Sequence, residues 1–126
     1  KGINFYDLEK SYVTYSVIIK KVNNYINDNI ERKILIKDLA NYVGLSESRL
    51  SHIYKNQMGI SINQYIIKKR LTIAKDMLKI GITLSDITIK CGFQDYTSFF
   101  RAFKKEYGVS PKEYRELHKI KTEYTP

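Results

Sequence analysis

One segment of this chain occurs twice, and that constrains the fold more than anything else in it. Asp38–Tyr65 reads DLANYVGLSESRLSHIYKNQMGISINQY, and Asp86–Tyr114 reads DITIKCGFQDYTSFFRAFKKEYGVSPKEY. Asp38 falls on Asp86, Gly44 on Gly92 and Leu45 on Phe93. After one inserted residue, Leu50 falls on Phe99, Tyr54 on Phe103, Gly59 on Gly108, Ser61 on Ser110 and Tyr65 on Tyr114. Each copy spells a short helix, a glycine turn, a second helix and a glycine stop. This is the spacing of a helix-turn-helix.

The flanking sequence supports an all-α fold. Helical periodicity dominates, only two prolines occur, and no alternating apolar pattern is bounded by turn residues. Ile18, Val22, Tyr25 and Ile26 predict an amphipathic helix over about 14–29, and Ile36–Val43 predicts a second, stopped by Gly44. Ser46 is placed to cap a third helix running to about Met58 and ended by Gly59. Ser61 with Gln64 forms a capping box for the longest helix, which Gly81 stops. Along it Ile66, Ile67, Leu71, Ile73, Ala74, Met77, Leu78 and Ile80 make an apolar face wide enough for two neighbours. At ~1.5 Å per residue, its roughly 20 residues form a rod of ~30 Å, close to the ~34 Å between successive major grooves on one face of a duplex.

Thr83 with Asp86 opens the second copy, Asp95 caps its second helix, and Gly108 ends that helix. Ser110-Pro111-Lys112-Glu113 then combines an N-cap serine, a proline at the first helical position and a glutamate at the third. The first copy has Leu35 where the second has Thr83, so its opening helix should be the less stable. The expected architecture is about seven helices forming two helix-turn-helix subdomains on a long central helix. Its divisions are 1–12 as linker or N-terminal arm, 13–60 as first subdomain and 61–81 as joining helix. The second subdomain takes 82–119 and a tail takes 120–126.

Composition narrows the partner. A net charge of +9 and a pI near 9.5 favour an anionic partner, nucleic acid ahead of a membrane surface. No apolar run approaches the ~20 residues of a membrane span, so no membrane partner is expected. The single cysteine excludes an intramolecular disulfide. The first residue is not methionine, which leaves an upstream domain open.

In a helix-turn-helix the second helix meets base edges through its outer face. With Leu50, Ile53, Tyr54 and Met58 turned inward, Glu47, Ser48, Arg49, Ser51, His52 and Lys55 lie outside. With Phe99 and Phe103 inward, the second copy presents Tyr96, Thr97, Phe100, Arg101 and Lys104. Arg101 fits a bidentate contact to guanine O6 and N7, or else a phosphate or acidic neighbour. His52 is either a donor to a purine or phosphate or an uncommitted surface residue. Phe100 either meets thymine methyl groups or belongs to the core. Arg49, Lys55, Lys104 and Lys105 suit phosphates, which position a probe without reading sequence.

Catalysis has little support. Cys91 sits on an apolar face before the turn glycine, as a buried structural thiol would, and His52 and His118 lack metal-ligand spacing with it. No phosphate-cradling glycine loop occurs. Neither cofactor nor metal is expected, and an enzyme is the weakest reading.

Gly92–Arg115, GFQDYTSFFRAFKKEYGVSPKEYR, closely resembles the signature of the AraC/XylS transcription regulators, and the resemblance extends over about 13–119. It implies a bacterial, cytoplasmic regulator, nucleoid-associated when bound, whose two recognition helices enter adjacent major-groove segments of an asymmetric promoter site. It also implies RNA polymerase as a partner of an activator, and an upstream sensing, dimerising or receiver domain in many members. The base-facing positions it implies are Ser48, Ser51 and His52 in the first copy, and Tyr96, Thr97, Phe100 and Arg101 in the second. The first copy departs from the family by placing small serines where longer donors are frequent. The expected function is therefore sequence-specific binding of double-stranded DNA by a transcription activator. The alternatives are a repressor of the same fold, a helical protein-interaction module docking through Tyr96 and Phe100, or an RNA-binding protein.

Overall fold

The computed structural model describes residues 5–119, with side chains described from Thr14 onward. Among the described residues there are seven α-helices and no strand. They are α1 (Phe5–Asp28), α2 (Ile36–Val43), α3 (Glu47–Met58), α4 (Ile62–Lys79), α5 (Leu84–Lys90), α6 (Tyr96–Tyr107) and α7 (Pro111–His118). The fold is all-α, with a helix-turn-helix at α2–α3 and another at α5–α6.

The first helix departs from expectation. It opens at Phe5, whereas the sequence reading placed a linker through Tyr12 and began the helix near Thr14. Spacing explains the difference: Phe5, Leu8, Tyr12, Tyr15, Ile19, Val22 and Ile26 recur at alternating three- and four-residue steps. That is the helical period, diluted at its start by Asp7, Glu9 and Lys10. Residues 1–4 and the proposed tail 120–126 lie outside the described residues.

The chain forms two compact units. One gathers the described residues up to Asn29 with Lys33–Ile66; the other gathers Ile30–Arg32 with Ile67 and the described residues after it. The division falls inside α4, whose first turn belongs to the first unit and whose remainder belongs to the second.

In the first unit α1, α2 and α3 pack on one another. Val22, Ile26, Leu39, Ala40, Leu50, Ile53, Tyr54, Ile62 and Ile66 are buried there. Tyr54 brings a hydroxyl into this core, and it donates to Asn23 Oδ1 at 2.6 Å. Burial, and then the neighbouring Tyr65, push its pKa well above the ordinary phenol value, which keeps it a donor. Ser46 accepts the Arg49 N–H at 3.1 Å to start α3, and Ser61 and Gln64 cap α4 reciprocally at 3.1 and 2.8 Å. Leu35, as expected, offers α2 no side-chain cap.

The second unit is built around Leu71, Ala74 and Leu78 of α4, Ile87 and Cys91 of the α5 region, and Phe99 and Phe103 of α6, all buried. Aromatic edges knit it together: Phe99 meets Phe103 at 5.8 Å between centroids, and Phe103 meets Tyr107 at 4.7 Å and Tyr114 at 5.4 Å. Thr83 caps α5, Asp95 caps α6, and Ser110 with Glu113 forms a complete capping box on α7. Of the apolar face expected on the long helix, Ile67 and Ile80 are exposed at 40% and 65%. Ile80 lies just past the last helical residue, beyond the reach of the core.

Arg70, half-buried on α4, holds the segment Ile30–Arg32 in this unit. Its Nε donates to the Ile30 carbonyl at 3.2 Å and its Nη2 to the Arg32 carbonyl at 2.8 Å. Burial lowers its pKa, yet a guanidinium stays charged through such a shift. The Arg115 guanidinium likewise donates to the Ile82 carbonyl, tying α7 to the lead into α5.

Candidate nucleic-acid interface

Helix α3 separates its faces cleanly. Leu50, Ile53 and Tyr54 are buried, whereas Ser48, Arg49, Ser51, His52 and Lys55 are exposed. The helix therefore brings Ser48, Ser51 and His52 onto its outer side, with the two expected phosphate-binding cations beside them. Arg49 Nη2 also donates to the Tyr15 hydroxyl of α1 at 3.4 Å, which orients its planar donor fork. His52 has a neighbour of its own, Asn56, whose Nδ2 lies 3.1 Å from the ring Nε2.

Helix α6 is arranged in the same way. Phe99 and Phe103 are buried, and Tyr96, Thr97, Arg101, Lys104 and Lys105 are exposed. Phe100 is half-buried, on the rim of the outer face. Its ring lies 6.0 Å from that of Tyr96 and 5.8 Å below the Lys104 ammonium, so the three form a stripe with one turn between successive members. Asp95 at the N-cap is held below the ordinary carboxylate range, first by the Ser98 backbone N–H, then by the Ser98 side chain, with a contribution from the Arg101 charge. The start of α6 is thus pinned while Arg101 stays exposed.

The surrounding charge is not all available. Lys68 pairs with Glu106 at 3.2 Å, and the Lys75 ammonium lies 4.8 Å above the Tyr107 ring. Cys91 is fully buried, and burial raises its thiol to about 11, so it is a protonated core side chain. No group of three or more His, Cys, Asp or Glu placed to hold a metal occurs among the described residues. None of the described helices is long and apolar enough to cross a membrane.

A family profile described as "Helix-turn-helix domain" matches residues 39–117, which spans both helix-turn-helix motifs. The chain is 36% identical over 95 residues to the probable transcriptional regulator LumQ of Photobacterium leiognathi, covering 75% of this chain and 38% of LumQ. It is 34% identical over 99 residues to the arabinose operon regulatory protein of Escherichia coli, covering 77% of this chain and 34% of that protein. Its fold matches the C-terminal domain of AraT, a response regulator from Geobacillus stearothermophilus. The TM-score is 0.80 at 28% identity, over 86% of this chain and 91% of that one.

The chain belongs to the AraC-type helix-turn-helix family. The family and fold are those of DNA-binding transcription regulators. It spans well under half the length of the two full-length relatives named above.

Within this AraC-type frame, three contacting residues were not singled out from sequence: Tyr15, Arg70 and Asn56. Tyr15 and Arg49 are 34 positions apart. Arg70 works through backbone carbonyls, which leave no side-chain partner to recognise. Asn56 did have a legible signal, since it lies four residues from His52 on one helix.

Proposed function

We propose that this AraC-type chain activates transcription by placing α3 and α6 in adjacent major-groove segments of an asymmetric promoter site. Ser48, Ser51 and His52 read bases in one half-site; Tyr96, Thr97, Phe100 and Arg101 read the other. Arg49, Lys55, Lys104 and Lys105 neutralise phosphates. RNA polymerase is the second partner, and an upstream sensing or dimerising domain of the same protein supplies the signal. The setting is the bacterial cytoplasm, on the nucleoid.

One observation carries this reading. Both second helices bury their apolar side chains and leave a row of different, chemically readable side chains on the opposite face. The base-reading positions of the two rows share no residue: Ser48 stands against Thr97, Ser51 against Phe100 and His52 against Arg101. Two unlike probes in tandem on one chain suit a site without palindromy.

The test is competitive binding to a promoter duplex, with A-form RNA and single-stranded RNA as competitors, across a salt series. Duplex preference with a steep log–log loss of affinity supports the reading, because each neutralised phosphate contributes a slope of about −0.9. Equal competition by RNA would reject it. A promoter–reporter assay then separates activation from repression.

A further inference from the structure

Asn56 places an amide nitrogen against one specific ring atom of His52. The Nδ2–Nε2 separation is 3.1 Å, both residues are exposed on α3, and they lie one turn apart. A carboxamide nitrogen can only donate. With the amide nitrogen turned to the ring, Nε2 accepts, and a neutral imidazole that accepts at Nε2 carries its proton on Nδ1. A free histidine side chain in water prefers the opposite tautomer. The pair thus reverses which ring atom donates.

We infer that Asn56 is a positioning residue that fixes His52 as the Nδ1–H tautomer, so that the first probe offers a single donor to the base it meets. The inference rests on the base-reading role proposed for His52. In the major groove a donor complements guanine O6 and N7, adenine N7 or thymine O4, and finds only an amino group on cytosine. An unfixed ring could donate or accept from either nitrogen and would discriminate less. The second copy needs no such device: Arg101 stands where His52 stands, Lys105 stands where Asn56 stands, and a guanidinium has only donors. In water the exposed pair competes with solvent. In a dehydrated groove it gains strength, because the local dielectric is lower than in water.

Two measurements on the full chain test this. The first is 15N NMR of histidine-labelled protein at alkaline pH, with the His52 signals assigned through His52→Gln. The expected result is a protonated Nδ1 and a bare Nε2 in the parent chain, shifting towards Nε2–H in Asn56→Ala. The second is selection from a random duplex pool using the parent, His52→Ala and Asn56→Ala. Alanine at an exposed helical position favours folding, so loss of structure does not confound this arm. Asn56→Ala should relax the same base position that His52→Ala relaxes, several-fold, while leaving the other positions and the salt slope unchanged. Relaxation by His52→Ala but not by Asn56→Ala overturns the inference and leaves base reading intact, as does an Nε2–H ring in the parent chain. No change in either variant removes the base-reading role itself, and the inference falls with it.

Discussion

Gly92 lies against the Ile30 carbonyl so closely that a Cβ there would run into the carbonyl oxygen, and the Arg70 Nε lies on the same side. Gly44, its counterpart in the first copy, has open space around the same position. Both residues have positive φ, +74° at Gly44 and +89° at Gly92. The two turn glycines thus look equivalent in sequence and differ in what surrounds them. Gly44→Ala should cost only the left-handed backbone penalty, about 1–2 kcal/mol. Gly92→Ala should cost about 3 kcal/mol or more, because a backbone oxygen must also move. Urea midpoints of the two variants check this; equal losses would show that the close approach carries no energy.

The uncapped start of α2 should be improvable. Leu35 is 45% exposed and in extended conformation at the N-cap, so replacing it sacrifices little burial. Leu35→Thr should stabilise the chain by about 0.5–1 kcal/mol, and Thr83→Ala, at the paired position, should destabilise it by about 1 kcal/mol. Denaturant titration gives both signs. A destabilised Leu35→Thr would mean that the leucine contributes packing that outweighs the missing cap.

Two helix caps make stability sensitive to acid. Asp95 is held below its ordinary 3.8 by the Ser98 hydrogen bonds, and Glu113 below its ordinary 4.5 by those of Ser110. A carboxylate depressed in the folded state contributes fully above its ordinary pKa, and that contribution is lost as pH falls through the depressed value. Stability should therefore decline as pH drops below the ordinary values of these two groups. The double variant Asp95→Asn, Glu113→Gln should flatten that decline in urea midpoints taken along an acid series. An unchanged slope would place the acid sensitivity elsewhere.

On DNA, the outer faces predict two different phenotypes. Arg101→Ala should relax preference at one or two base pairs, with a loss of about 1–3 kcal/mol of discrimination. Lys104→Ala should weaken all sequences alike and reduce the magnitude of the salt slope by about 0.9. Binding to a panel of single-base variants, repeated at several salt concentrations, distinguishes them. If Arg101→Ala weakened every variant equally, Arg101 would be a phosphate contact.

Most of the scaffold was legible because it is written locally. Ser46, Thr83, Asp95 and Ser110 each cap the backbone three residues on, and Leu50, Tyr54, Phe99 and Phe103 follow a helical period that needs no tertiary knowledge. What escaped was either diluted or distant. Charged residues among Phe5, Leu8 and Tyr12 obscured the start of α1. Arg70 reaches carbonyls about forty positions away, and the crowding at Gly92 depends on that same segment. Phe100, read as either outer face or core, lies half-buried on the rim. The outward rows on α3 and α6 followed from knowing which residues turn inward. What each row reads is chemistry that DNA must report.

Selection of bound sites from a random duplex pool is the most direct test of two unlike probes on one chain. Two unlike probes predict a non-palindromic consensus in two parts, with preference in one part lost in a Ser48, Ser51 and His52 triple-alanine variant and with one or two base pairs of the other part relaxed in Arg101→Ala. A palindromic consensus, or a pool that shows no enrichment, would contradict it.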